Sequence, residues 1–313
     1  MPTFSTVKTS NASYSPASPP VALFFGGTSG IGKATVEAFA RYTDGEAHII
    51  ILGRNRTAAE GILSSLPRPK QEDGSWKHEF VACDTSLMKN VEAVTRRLLG
   101  SLPKINFLAI SSGHVSLLGR KDTEEGIDNS LAVRYYSRWK ITNDLLPLLR
   151  KAAELGEPAS VLNVLDPTRG ITVEETDDFG LKKPGKYSGF KATQLSMTYT
   201  DLAMEEFGLR EPTIAFTHIL PGFVNTNVFS SNHWAMQLAR PIVKPIIWAF
   251  AMSPAVCAEN MIYALLNAEK GYNRRGEKVE DLGFKSHPYP DEKRRAEIRQ
   301  KLWEHTVKEV YPS

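Results

Sequence analysis

The stretch Val21-Ala22-Leu23-Phe24-Phe25-Gly26-Gly27-Thr28-Ser29-Gly30-Ile31-Gly32-Lys33 joins an unbroken apolar run to a glycine-rich turn and leads into an apolar-periodic segment. A short continuous apolar run reads as a strand covered on both faces, as in parallel sheets. Glycines permit a tight turn and close backbone approach, while the helix behind them offers unpaired N–H groups and the positive end of its dipole. A turn of this kind after a first strand is suited to a pyrophosphate, with Gly26, Thr28, Ser29, Gly30, Ile31 and Gly32 as contacts. The same glycines would also serve an ordinary sharp strand-to-helix connection.

Outward from this turn, apolar runs recur at Ala47–Gly53, Glu79–Asp84, Ile105–Ser111, Ser160–Asp166 and Thr213–Leu220. Between them lie amphipathic segments at about 30–42, 56–66, 87–100, 124–151 and 187–207. The alternation predicts βαβ units and an α/β fold: a Rossmann-type doubly wound parallel sheet in a single domain. Residues 1–19, rich in Ser, Thr and Pro, read as a flexible leader to a domain spanning 20–313. Aromatic and aliphatic residues at about 224–252 suggest a helical substrate lid beyond the carboxyl edge of the sheet, although helical spacing fits core packing equally. Helices at Pro254–Lys270 and about Asp291–Val310 close the chain.

The composition excludes several classes. With 313 residues, 42% hydrophobic and 23% charged, the chain is an ordinary globular protein. Its 38 basic residues against 35 acidic give only +3, which argues against nucleic acid as a partner. The run Lys293-Arg294-Arg295 reads as a solvated helix face. Cys83 and Cys257 lack any metal-ligand spacing, so neither zinc nor a disulfide framework is expected, and a cytoplasmic location fits. The most apolar late segment is broken by Arg240, Pro241, Lys244 and Pro245, whereas a membrane span needs about 20 uninterrupted apolar residues.

The glycine turn resembles the TGxxxGxG signature of the short-chain dehydrogenase/reductase family, with Phe25 in place of its threonine. The resemblance implies that Asp84 contacts adenine, that Ser112 and Gly113 follow the fourth strand at the cofactor, and that in the PGxVxT-like segment Pro221, Gly222, Val224 and Thr226 bind the cofactor, the Val224 backbone and the Thr226 hydroxyl holding the nicotinamide carboxamide. Asp84 also reads as a helix-start signal before Ser86. At the end of the second strand stands Gly53-Arg54-Asn55-Arg56 with no acid. A guanidinium accepts a 2′-phosphate where a carboxylate would repel it, so NADP(H) is the expected cofactor.

Tyr187-Ser188-Gly189-Phe190-Lys191 has the family's YxxxK spacing. On a helix, residues i and i+4 share a face, so the ammonium could lower the phenol pKa from its usual value of about 10. Tyr187 is then the expected proton donor, and Lys191 also binds the nicotinamide ribose. Two positions depart from the pattern. Asp166 stands at or beside the usual serine, and an ionised carboxylate cannot donate to a ketone. Arg134 replaces the usual asparagine and cannot accept a hydrogen bond. Opposite charges at two altered positions suggest that Arg134 and Asp166 approach each other. Thr168 is a possible donor in the serine's stead.

The leading expectation is hydride transfer between NADPH and a carbonyl or imine of an apolar small molecule, in the manner of fungal relatives in secondary metabolism. A non-redox cyclase or isomerase using Asp166, Arg134 and Tyr187 is the second, and a nucleotide-sensing binding protein the third. The resemblance also implies a homodimer or homotetramer through the segments at 124–151 and 187–207, with Tyr135, Tyr136 and Trp139 serving either that interface or the core.

Overall fold

The apolar runs become parallel strands because each is covered on both sides. A computed structural model describes residues 1–68, 77–113, 119–225 and 251–312. The strands are β1 (Val21–Phe25), β2 (His48–Gly53), β3 (His78–Ala82), β4 (Phe107–Ile110), β5 (Ser160–Val164), β6 (Ala215–Ile219) and β7 (Gly271–Arg275). They form one sheet of order β3-β2-β1-β4-β5-β6-β7, with every pairing parallel. The helices are α1 (Phe4–Ala12), α2 (Gly30–Tyr42), α3 (Arg56–Ser65), α4 (Met88–Ser101), α5 (Asn129–Leu131), α6 (Ser137–Glu154), α7 (Gly189–Arg210), α8 (Pro254–Leu266) and α9 (Glu292–Val310).

Alternation along β1 divides the core. Val21, Leu23 and Phe25 face one layer with residues of α4, α6 and α7, while Ala22 and Phe24 face the other with residues of α2 and α8. Because β1 continues to β2 on one side and pairs with β4 on the other, a crevice opens at its carboxyl end. The candidate site therefore lies where the glycine turn leaves the sheet.

Four elements differ from their sequence reading. The leader contains α1, held by tertiary contacts: Val7 and Asn11 are buried, and Asn11 Nδ2 donates to the Glu259 carbonyl (3.0 Å) and carboxylate (2.9 Å) on α8. β7 is a further strand in a polar segment without an apolar signal. The long helix expected at 124–151 starts at Asn129, capped by Asp128, whose Oδ1 accepts from Leu131 N at 3.0 Å. It then passes through a π-turn at Ala132–Tyr136, where Ser137 N donates five residues back to the Ala132 carbonyl. Finally, the basic run on α9 is only partly solvated. Arg295 is buried and donates to both Glu205 oxygens on α7 (3.0 and 3.1 Å), while Arg294 stays exposed.

Helix α9 lies over the helices expected to meet a second copy. Tyr135 bonds Thr306 (2.6 Å), Tyr136 bonds His305 (2.7 Å), and the Trp139 ring meets Trp303 with centroids 4.9 Å apart. All three are core residues, at 1% exposure or less. This part of the face is already occupied within one chain. Truncation before Asp291 is expected to uncover Trp139 and Phe207 and cause self-association, with a stability loss of about 2 kcal/mol from the partly buried Trp303 alone. A truncated chain with unchanged sedimentation and melting temperature would contradict this.

Candidate active site

The glycine turn is shaped by contacts that leave no room for side chains. Gly26 has φ +84°, and a Cβ there would lie 2.5 Å from Ser112 N. A Cβ on Gly32 would lie 2.3 Å from the Gly26 carbonyl oxygen and 2.4 Å from Ser111 Oγ. The turn, the start of α2 and the end of β4 are thus interlocked. Ser29 occupies the N-cap of α2 without a side-chain cap hydrogen bond, so it does not spend its hydroxyl on the N–H groups of the first turn.

A cavity of about 520 Å³ opens at this turn, lined among others by Gly26, Thr28, Ser29, Gly30, Ile31 and Gly32. Arg54, Asp84, Ser112 and Gly113 complete the sequence-predicted part of the wall. Sequence reasoning missed Cys83, Thr85, Ser86, Ser111, Asn129 and Val133, which also line it. Their only signal was proximity to the ends of β3, β4 and α5. Asp84 Oδ1 accepts from Ser86 N (3.0 Å) and Ser86 Oγ (2.8 Å), fixing the turn after β3. Burial and the charge of Asp84 push the Cys83 thiol up to about 12, so it is not a nucleophile at neutral pH.

These walls fit a dinucleotide. Glycines admit the backbone to within contact of a diphosphate, and the amino end of α2 and the exposed Arg54 offer positive charge. Ser112 Oγ is buried with no hydrogen-bond partner among the described residues. Arg56, by contrast, extends over the Phe80 ring at 5.0 Å and pairs with Glu60 at 3.5 Å.

Tyr187 and Lys191 are not brought together on a helix face and do not line this cavity. The reason is local. Ser188 has extended backbone angles and caps α7, its Oγ accepting from Lys191 N at 3.1 Å, so the helix cannot extend back through Tyr187. Lys191 Nζ instead bonds Glu174 at 2.7 Å. Tyr187 is half-buried beneath the Arg120 guanidinium, 5.9 Å from its ring centroid. Burial, then the charge and hydrogen bonding of Asp128, raise its phenol above the usual tyrosine range. Asp128 also caps α5, whose first residue, Asn129, lines the cavity.

Arg134 lies in the π-turn, 5% exposed, with Nε donating to Ser196 Oγ at 3.0 Å. Burial lowers its pKa to about 10, against an opposing contribution from the Asp166 charge. Asp166 accepts from Thr168 N (2.8 Å) and Thr168 Oγ1 (2.6 Å), and Arg169 approaches it at 3.4 Å. Thr168 therefore spends its hydroxyl on Asp166. Pro221, Gly222 and Val224 follow β6 and do not line the cavity. Val224 bridges Met252, so residues 225 and 252 are held side by side. Thr226 and all but the ends of the lid expected at about 224–252 lie outside the described residues.

Among the described residues, no cluster of His, Cys, Asp and Glu could hold a metal ion, and no helix is long and apolar enough to cross a membrane.

Comparison with known proteins agrees with this architecture. A family model described as short chain dehydrogenase matches residues 20–165. "Oxidoreductase AN1596" of Emericella nidulans is 35% identical over 270 residues, covering 86% of this chain and 78% of that protein. "Oxidoreductase andH" of Emericella variicolor is 33% identical, covering 79% and 70% respectively. Among solved structures, an alcohol dehydrogenase from the archaeon Thermococcus sibiricus complexed with 5-hydroxy-NADP shares the fold, with a TM-score of 0.55 and 18% identity over 82% of this chain and 95% of that one. With a family model over the nucleotide-binding half and a fungal relative along most of its length, the chain belongs to the short-chain dehydrogenase/reductase family and is an oxidoreductase.

Proposed function

We propose that the protein is an NADPH-dependent reductase of a carbonyl or imine on an apolar small molecule of secondary metabolism. The observation that carries this reading is the cavity at the switch point of the sheet, with the glycine turn and the amino end of α2 on one side and Arg54 at its rim. In this reading the first turn of α2 holds the diphosphate and Arg54 the 2′-phosphate. Bound NADPH supplies the hydride. Tyr187, kept protonated at neutral pH by burial and Asp128, supplies the proton from its hydroxyl. The solved relative named for its complex with 5-hydroxy-NADP agrees with the cofactor assignment.

Arg54→Ala is expected to weaken NADPH binding about ten- to hundredfold, the worth of a charge-assisted hydrogen-bond pair, while leaving NADH binding within a few-fold. Isothermal titration with both nucleotides measures it, and equal losses for the two would remove Arg54 from the 2′-phosphate. Turnover is tested with purified protein, NADPH and a panel of ketones, imines and enals, following cofactor absorbance and product mass. Intact turnover in Tyr187→Phe would disprove the proton-donor role.

The engagement of Lys191 by Glu174 favours a second reading, a cyclase or isomerase that keeps the nucleotide as scaffold and acts through Asp166, Arg134 and Tyr187. An isomeric product formed without NADPH consumption would establish it.

A further inference from the structure

Arg138 stands one turn beyond Arg134 on α6 and is 1% exposed. Its Nη1 donates to the Ile110 carbonyl (3.0 Å) and Asn163 Oδ1 (3.1 Å), and its Nη2 to the carbonyls of Ser112 (2.7 Å) and Val164 (3.2 Å). These acceptors are the carboxyl ends of β4 and β5 and the loop that follows β4. All four are neutral. Burial first, and the like charge of Arg134 second, lower its pKa to about 9, and no carboxylate among the described residues offsets them. It still carries its charge at neutral pH.

A buried cation without an anion is costly, so carbonyl dipoles alone stabilise it here. Its position has a consequence for the ligand. Ser112 and Gly113 line the cavity, and Nη2 lies 3.8 Å from where a Cβ of Gly113 would be. Strands β2 and β3, which are followed by Arg54 and Asp84, lie on one side of β1, and β4 and β5 on the other. A dinucleotide with its 2′-phosphate at Arg54 therefore directs its nicotinamide to the β4 and β5 side. The oxidised ring bears a positive charge and the reduced ring none.

We propose that the buried charge of Arg138, beneath Ser112 and Gly113, makes the site discriminate between redox states of the cofactor, holding NADPH more tightly than NADP⁺ and so favouring reduction. The inference rests on the cofactor reading above. Arg134 adds charge of the same sign, while Asp166, the acid felt at Arg134, is shared with Thr168 and Arg169. The 2′-phosphate is common to both redox states, so Arg54 does not enter the ratio of affinities.

The test is the ratio of NADP⁺ to NADPH dissociation constants, measured by titration of the whole chain. A unit charge acting through a medium of intermediate dielectric gives an expected ratio of about ten in the unaltered protein. Arg138→Met is expected to lower the ratio several-fold towards one, the remainder coming from Arg134, with Arg138→Gln as the second neutral variant should the first not fold. Arg138→Lys, which keeps the charge but loses the four-point bonding, is expected to weaken both affinities and preserve the ratio. Arg54→Ala is the control in which both affinities fall together. Equal affinities in the unaltered protein, or an unchanged ratio in a folded neutral variant, would overturn the proposal. If the unaltered protein binds neither nucleotide, the cofactor reading fails instead.

Discussion

Asp201→Ala is expected to lower the unfolding free energy by about 3–5 kcal/mol, because it removes a carboxylate that compensates a buried cluster of donors. Asp201 is 2% exposed. Its Oδ1 accepts from Tyr272 (2.5 Å) and is bonded to His218 Nδ1 (2.5 Å), while its Oδ2 accepts from Arg274 Nε (3.0 Å) and lies 3.7 Å from His287 Nε2. Arg274 in turn donates to the Pro167 carbonyl, one residue beyond Asp166. Through this cluster α7 holds β6, β7, the 283–289 segment and the loop after β5. Urea unfolding of the variant, with a loss below about 1 kcal/mol, would show that the cluster does not secure β7.

The same cluster sets an acid limit. Burial alone would raise the Asp201 carboxyl, but His218, Arg274 and His287 outweigh it and hold it below the usual range. Its stability contribution is therefore complete above the unfolded pKa of about 3.9 and is lost as pH falls through the folded value. His287 is held at about 4, chiefly by burial. A depressed histidine favours the neutral native form, so its contribution is complete above about pH 6.5 and is lost as pH falls towards the folded value. Stability measured across that window should fall by up to about 3 kcal/mol, and His287→Gln should flatten the decline.

Gly32→Ala is expected to weaken NADPH binding by about two orders of magnitude. Its Cβ would collide with the Gly26 carbonyl and Ser111 Oγ, so the turn and the start of α2 must separate. Overpacking of this kind costs about 1–3 kcal/mol, and here the displaced groups are the proposed diphosphate site. Gly26→Ala adds backbone strain, since φ +84° is a conformation that side chains rarely adopt. Titration distinguishes this from general instability if the melting temperature falls by only a few degrees. Binding as tight as in the unaltered protein would show that the diphosphate lies elsewhere.

Much of the fold was legible because the signals are local. The run Val21–Phe25 is apolar at every position, as a strand covered on both faces requires, and the glycines follow it directly. Arg54 could be placed at the cavity because the end of β2 is set by the same pattern. β7 escaped detection because its buried side chains, Asn273 and Arg274, are polar, and Arg274 is stabilised by Asp201 some seventy positions away. Helix α1 escaped for a similar reason: Glu259 on α8 gathers Asn11 from α1 and Arg41 and Tyr42 from α2.

The amino-acid sequence by itself determined the parallel sheet, the glycine turn and the charge at the end of β2, since each follows from adjacent residues and backbone sterics. Only the tertiary structure decided how the catalytic candidates are disposed. Ser188 starts α7 after Tyr187, Lys191 turns to Glu174, and Arg138 enters the core between the ends of β4 and β5. Those placements depend on which distant partner satisfies a buried or charged group, and a spacing such as YxxxK carries no information about that choice.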